Sequence, residues 1–385
     1  MRYVELGKII VPARARRAGN MDYPVLSMTM RNGLVNQADK FKKRIASADT
    51  SPYKVVERNQ LVVGFPIDEG VLAFQNLYDE AIVSPAYNIW NLQEAALVDS
   101  KYLEAFLRSP LALAFYKSRL RSTTARRRSL PNDMFLSLPV PLPLLIEQER
   151  IVKLLDEADE LRRLRAKADQ RSAKLVSALF HEMFGDPFSN PKQYPTHTLE
   201  QVCSRITDGT HQPPQFSEDG IPFLFVRNIV NGSIDFKTEK FISEVTFAEL
   251  TRRVRPERGD ILYSTVGSYG VAVMVETDRR FAFQRHIGHL KPNSERVDSR
   301  FLTAQLNTPS LKLQADQRAR GIAQKTVNLA EIRQFKVLVP SLPLQREFAE
   351  RISDIRELET AQAASRNRLS DLFQSLLHRA FNGQL

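Results

Sequence analysis

The sequence predicts an α+β chain. Two globular domains with twisted β-sheets are separated by two long helices, packed as an antiparallel coiled coil, in an internal pseudo-twofold repeat. Three observations lead there. A segment recurs 197 positions later in the chain, the recurring segment is helical in period and electrically neutral, and the stretches between are β-like and basic. At that offset Val140, Pro143, Leu145, Gln148 and Leu161 meet Val337, Pro340, Leu342, Gln345 and Leu358. Further along, Arg171, Leu175, Leu179, His181 and Phe184 meet Arg368, Leu372, Leu376, His378 and Phe381. Self-similarity this long means two copies of one structural unit.

Residues 1–143 form the first expected domain. Short apolar runs bounded by turns mark strands near Tyr23–Met28, Gln60–Phe65 and Ala81–Ser84. Leu103–Pro110 reads as a helix that ends at proline. Residues 144–184 form the first long helix, entered past Pro141 and Pro143, with Glu147 and Glu149 in the first turn where the helix dipole favours them. Its stripe is Ile151, Leu154, Ala158, Leu161, Ala168, Ser172, Leu175 and Leu179, close to a heptad seam. Gly185 stands where a helix C-cap is expected.

Residues 185–196 read as a linker, rich in proline, glycine and polar residues. Residues 197–343 form the second domain, with strands expected at Ile221–Val226, Asp260–Ser264, Val271–Val275 and Phe281–Gln284. Glu257 to Ile261 echoes Glu57 to Leu61, and the expected helix Leu302–Pro309 echoes Leu103–Pro110. Residues 344–385 repeat the long helix through Phe348, Ile352, Ile355, Leu358, Ser365, Leu369, Leu372 and Leu376, with Gly383 at its end. A helix of roughly 38 residues is about 57 Å long and cannot bury its stripe alone. Pairing the two copies solves this, and the small residues Ala166, Ala168, Ser172, Ala173, Ala361, Ala363, Ala364 and Ser365 suggest close approach midway.

The formal net charge is +11. Residues 1–143 hold 20 basic and 13 acidic side chains, and residues 185–343 hold 21 and 17. Both helical segments are balanced, at 8 and 8 for 144–184 and 6 and 6 for 344–385. The excess therefore lies in the globular domains, where it raises the local concentration of polyanions. Leu61–Phe65 and Leu111–Phe115 are too short to span a bilayer, and the N-terminal residues lack a signal-peptide layout. Cys203 is the only cysteine, so no internal disulfide forms; a cytoplasmic protein without a membrane partner is expected.

Motifs for chemistry are sparse. There is no Walker loop and no glycine-rich dinucleotide fingerprint; Gly267-Ser268-Tyr269-Gly270 reads as a hairpin turn. Six histidines and one cysteine show no metal spacing, and His181 and His378 read as helix-end residues. Ser84-Pro85-Ala86-Tyr87 is similar to the target-amine loop of amino-methyltransferases but lacks its second proline, and it reads as a strand-ending turn. Basic runs stand out instead: Arg14, Arg16 and Arg17; Lys40, Lys42, Lys43 and Arg44 on a short helix; and Arg126, Arg127 and Arg128 before the first long helix. The matching place in the second domain carries Arg318, Arg320, Gln324 and Lys325. Basic, polar loops suit phosphate contacts, and Arg and Gln also read base edges.

These residues together resemble a known family. Glu147-Gln148, Leu154-Leu155-Asp156-Glu157-Ala158-Asp159 and Leu179 to Pro187 resemble the central conserved region of type I restriction-modification specificity subunits. Ile206 to Pro214, Gly220 to Leu224, Gly259 to Ser264 and Gly267 to Gly270 resemble segments of that family's target-recognition domains. Phe381 to Leu385 is similar to the family's C-terminus. The first domain departs most, since it lacks the Asp-Gly-Thr-His segment seen at Asp208 to His211.

The resemblance implies a non-enzymatic reader of double-stranded DNA. Each domain binds half of a bipartite asymmetric target, and the paired helices fix the spacing. Two modification (methyltransferase) subunits dock on it, and restriction/translocase subunits join them. No cofactor is expected in this chain; S-adenosylmethionine, ATP and Mg²⁺ belong to the partners. With the basic runs, the resemblance adds Thr210, His211, Arg227, Ser268 and Tyr269 as candidate DNA contacts. Ile151, Leu154, Leu161, Leu175 and Leu179, with Phe348, Ile355, Leu358, Leu372 and Leu376, are the candidate coiled-coil and docking residues. The alternatives are a stand-alone DNA adenine methyltransferase or nuclease with a divergent active site, and a coiled-coil scaffold that binds no nucleic acid.

Overall fold

The computed structural model describes residues 2–30, 32–40 (Lys40 by its backbone), 49–93, 97–120, 130–230, 232–252, 255–321 and 324–385. They form two compact units, Met1–Ala166 with Ala364–Leu385, and Lys167–Ala363. Each unit takes in part of both long helical segments.

The first unit is framed by strand Arg2–Glu5, which pairs antiparallel with Pro139–Leu142. Its central sheet is antiparallel, in the order Ile10–Pro12, Asn88–Leu92, Leu61–Val63, Leu72–Phe74. Two further antiparallel pairs are Leu26–Thr29 with Gly33–Asn36 and Lys54–Glu57 with Glu80–Val83. The second unit repeats this plan. Thr196–Thr198 pairs with Lys336–Leu338, and the central order is Cys203–Asp208, Ile287–Pro292, Ile261–Ser264, Ala272–Met274. A small sheet adds one parallel pairing, Phe223 opposite Ala282.

Helices follow each central sheet in matched pairs. Ser100–Leu107 and Ser299–Leu306 are N-capped by Asp99 and Asp298, whose carboxylates accept first-turn amides. Pro110 and Pro309 open the next helices, Pro110–Arg119 and Pro309–Arg318, behind the caps Ser109 and Thr308. This corrects the expectation that the prolines end the preceding helices. Proline has no amide hydrogen to lose at the first helical position, so it starts a helix better than it stops one.

The first long helix is two helices, Leu145–Ser172 and Leu175–Phe184, whereas Leu342–Phe381 is unbroken. At the break Ser172 Oγ donates to the Ala168 carbonyl at 3.1 Å, and the Lys174 amide reaches only back to Arg171. A serine bonded back into its own helix loosens the ladder and bends it. Gly185 caps the second piece with φ 76° and an amide that donates to the His181 carbonyl at 2.8 Å.

Packing of the helix ends completes each unit. In the first, Ile151 and Leu155 share a core with Leu377, Ala380 and Phe381. The Phe381 ring meets Tyr102 and Phe106 edge-on at 5.6 and 5.3 Å. In the second, Phe180 and Phe184 meet Phe348 at 5.6 and 5.2 Å, and Phe184 meets Phe301 at 4.8 Å. So in each unit the opening turns of one helical segment share a core with the closing turns of the other.

The repeated glutamines hold this junction. Gln148 is fully buried; its amide donates to the carbonyls of Pro143 at 2.9 Å and Leu97 at 3.2 Å, and accepts from the Asp99 amide at 2.8 Å. Gln345, also fully buried, donates to Pro340 at 2.8 Å and Arg296 at 3.2 Å and accepts from Asp298 at 2.8 Å. One buried side chain thus satisfies three backbone groups in each unit.

The heptad stripe needs correction. Ile151 and Phe348 are buried, and Leu154, Leu179, Ile355 and Leu376 are half-buried, but Leu161, Leu175, Leu358 and Leu372 are exposed. The buried contacts fall instead on Leu155, Ala158, Phe180, Ile352 and Leu377. Each helix end faces a globular core as well as its neighbour, which rotates the buried face off the simple seam. Among the described residues no helix is long and apolar enough to cross a membrane.

Candidate nucleic-acid interface

In the second unit, the loops at one end of the central sheet are knitted together by backbone hydrogen bonds. Strand Ile261–Ser264 runs out into Thr265, whose amide donates to the His286 carbonyl and whose carbonyl accepts from Val327. The Gly267 amide donates to Lys325 at 3.2 Å, and Arg320 and Thr326 exchange two hydrogen bonds. Thr210 sits alongside, accepting from the Arg285 amide at 3.0 Å. Gly209 permits this approach: a Cβ there would lie 2.0 Å from the Phe283 carbonyl. Four sequence-distant loops thereby form one surface.

This surface gathers many of the expected residues. Thr210 is half-buried; His211, Ser268, Gln324 and Lys325 are exposed. His211 Nε2 lies 3.0 Å from Asp208, and Thr210 Oγ1 donates to the Gln212 carbonyl. Arg227 is exposed on a different loop, its guanidinium 5.6 Å from the Phe225 ring. Arg320 is exposed and paired with Glu331 at 3.1 Å.

Two residues have structural employment instead. Tyr269 is 8% exposed, its hydroxyl donating to Asp316 at 2.7 Å and its ring under the Lys312 ammonium at 3.5 Å. That hydrogen bond raises the tyrosine pKa and, with Lys312, lowers that of Asp316, so the loop is tied down by a charged brace. Arg318 is half-buried, donating to the Gln314 carbonyl and lying 5.7 Å from the Phe335 ring.

Sequence reasoning missed Arg285 and His286, which follow the strand-ending turn at Gln284. Burial and the neighbouring Arg285 lower the His286 pKa, which favours its neutral imidazole. The available signal was the alignment of this turn with Ser84 to Tyr87. Both close alike, with Tyr87 and Ile287 amides donating to Ser84 and Gln284 carbonyls at 3.1 Å. Ser84 to Tyr87 is accordingly a turn at the end of strand Glu80–Val83.

In the first unit the same end of the sheet presents Phe65, Tyr87, Asn88 and Asn132. Phe65 is 54% exposed, and its ring lies 6.5 Å from Tyr87. Lys54 Nζ donates to the Tyr87 carbonyl at 2.7 Å. Arg14 is exposed next to Ala13, whose amide donates to Ile89. Arg16 pairs with Glu80 and lies 5.9 Å from the Tyr23 ring, while Arg17 is exposed beside a backbone bridge to Lys54. Lys42, Lys43, Arg44, Arg126, Arg127 and Arg128 lie outside the described residues. Among the described residues no group of three or more His, Cys, Asp or Glu side chains is placed to hold a metal ion.

Comparison with known proteins bears on both units. Residues 196–369 match the type I restriction modification DNA specificity domain. The type I restriction enzyme EcoBI specificity subunit of Escherichia coli is 27% identical over 181 residues, which are 46% of this chain and 38% of that subunit. The MjaVIII specificity subunit of Methanocaldococcus jannaschii is 21% identical over 310 residues, 76% of this chain and 72% of that one. The fold is similar to a chain solved in work on assembly and conformational transition of the type I R-M system. The TM-score is 0.64 at 18% identity, over 100% of this chain and 98% of that one. The HsdS subunit from Thermoanaerobacter tengcongensis gives 0.51 at 19% identity, over 100% and 97%. The fold is thus similar along its whole length to solved chains of type I systems, and residues 196–369 match the type I restriction modification DNA specificity domain.

Proposed function

We propose that this chain is the non-catalytic DNA-recognition subunit of a type I restriction-modification complex, reading a bipartite, asymmetric duplex target with one unit on each half. The observation that carries this reading is the loop surface of the second unit. There Arg285, Gln324 and Lys325 project from backbones fixed by hydrogen bonds, within the matched specificity domain. Rigid loops bearing cations and amides suit phosphate positioning with base-edge readout. Arg14, Arg16 and Arg17 supply phosphate contacts for the first unit, joined by Lys42, Lys43 and Arg126 to Arg128. Thr210, His211, Arg227, Ser268 and Arg320 do so for the second.

The two long helical segments act as an antiparallel coiled-coil ruler in a pseudo-twofold chain. Two readers on one face of a duplex must sit about one helical turn apart, roughly 34–36 Å or a multiple. A helix of about 57 Å is long enough to impose that. The exposed leucines recur as pairs, Leu161 with Leu358 and Leu175 with Leu372. Repeated exposed apolar residues suit two copies of a modification subunit, which bring S-adenosylmethionine; restriction subunits bring ATP and Mg²⁺. The site of action is the cytoplasm. The stand-alone methyltransferase or nuclease gains no support from the relatives matched.

The test is duplex binding against salt and spacer length. Affinity for the target should fall by orders of magnitude between about 50 and 200 mM salt. Deleting four residues from each helical segment should shift the spacer that is bound and methylated. Salt-independent binding would sink the DNA reading, and an unchanged spacer preference would sink the ruler.

A further inference from the structure

The first unit has a small cavity at the end of its central sheet, of about 30 Å³, lined by Val63, Phe65, Ile67, Trp90, Leu130 and Phe135 with Asn88 and Asn132. That is room for roughly one methyl group or one water. Two observations set it apart from a packing void. Trp90 is 2% exposed, and its indole Nε1 has no hydrogen-bond partner among the described residues. A buried donor left unpaired costs about 1–3 kcal/mol, a cost this unit carries in the residue that walls the cavity. The two asparagines are exposed, and their amides approach each other at 3.5 Å.

The second unit has closed the same place. Strand register equates Asn88 with Gly288 and Trp90 with Leu290, because Val63 faces Asn88 as Tyr263 faces Gly288, and Leu61 faces Trp90 as Ile261 faces Leu290. Phe65 corresponds to Thr265, and Asn132 to Leu329, each the first residue of its short helix. A Cβ on Gly288 would meet Thr265 Cγ2 at 3.5 Å and Leu329 Cδ2 at 3.6 Å. No indole donor stands there and no asparagine pair rims it. The cavity is thus particular to one unit of a repeated fold.

We propose that this cavity is a specificity site for a thymine–adenine pair in the half-target read by the first unit. In the major groove thymine presents a C5 methyl beside the O4 acceptor, and adenine presents N6 and N7, which an asparagine amide engages bidentately. The methyl enters the apolar cavity beside the Trp90 ring, and Asn132 or Asn88 takes the adenine. The inference rests on the DNA reading above, and it names which base the first unit selects.

The test uses the full chain and its selected target duplex. Each thymine is replaced in turn by uracil, which lacks only the methyl, and by 5-iodouracil for photo-crosslinking. One uracil should weaken binding about fourfold, the worth of one buried methyl group. 5-Iodouracil at that position should crosslink to Phe65 or Trp90. Asn132→Ala should keep the melting temperature and cut discrimination against G·C at that pair about tenfold. If the unmodified target binds with the expected salt dependence but no uracil weakens it, the inference fails while the DNA reading stands, and the cavity holds water. A first half-target without any thymine–adenine pair would overturn it equally. Absence of salt-dependent binding would end both.

Discussion

Gln60 and Asp260 occupy the same place in the two units, and their surroundings show what a duplicated fold keeps and what it releases. Each precedes the central strand, and each accepts a hydrogen bond at 2.8 Å from the amide three residues earlier, Glu57 or Glu257. The residue before each has positive φ, 64° at Asn59 and 93° at Gly259, and its amide donates to Gln75 or Val275. Even the flanking ion pairs match, Arg58 with Asp79 and Arg258 with Asp278. Beyond the backbone the two part. Gln60 donates to Asn91 at 2.9 Å, a neutral pairing. Asp260 lies 2.7 Å from His289 Nε2 and 3.0 Å from Lys291, which also pairs with Glu257. The turn geometry is common to both units, and the means of satisfying the polar side chain at that position is not.

If the units are energetically as alike as their frames, matched substitutions should cost alike. The largest effect is expected at Phe184→Ala and Phe381→Ala, each emptying a fully buried ring site at about 4 kcal/mol. Denaturant unfolding followed by hydrogen exchange in each unit would measure them, and a difference of several kcal/mol would break the equivalence. Gln148→Ala and Gln345→Ala come next. Each removes three hydrogen bonds to backbone groups, at about 3 kcal/mol, and each loss should appear in its own unit.

The smallest effect sharpens the difference. Burial works to raise the Asp260 pKa, but hydrogen bonds from His289, the Glu257 amide and Lys291 outweigh it and hold the carboxyl below its usual range. A depressed folded-state pKa contributes stability above the unfolded value, about 3.9, that is lost as pH falls through the folded one. Asp260→Asn should therefore cost about 1–2 kcal/mol at pH 7 and progressively less below pH 4. Urea melts at pH 7 and pH 3.5 check this. An equal cost at both values would mean that the charge of Asp260 contributes nothing.

Much of the frame was legible because it is written in local or repeated signals. The 197-residue offset picked out Gln148 and Gln345, and their hydrogen bonds agree group for group. Central strands near residues 61, 81, 221, 261, 272 and 282 were visible as apolar runs. Strands Arg2–Glu5, Pro139–Leu142 and Thr196–Thr198 were missed, since four residues or fewer paired across a whole domain show no alternation to read. The break after Ser172 depends on one hydroxyl's choice of partner. The helical stripe misled because a face packed on a globular core shifts away from a two-helix seam. At the interface, basic runs located Gln324 and Lys325 but gave no hint that Tyr269 is a brace. The cavity beside Trp90 is made by four segments distant in sequence, and no one of them carries its signature.

The placement of Phe381 bears on the order in which the protein can be made. The second unit is one uninterrupted stretch, Lys167–Ala363, whereas the first needs Ala364–Leu385 to complete its core. During synthesis, then, the first unit holds an unplugged apolar surface until residues 364–385 have followed the whole of the second unit out of the ribosome. A chain stopped at Ala363 would lose the integrity of the first unit and keep that of the second, which lies nearer the cut.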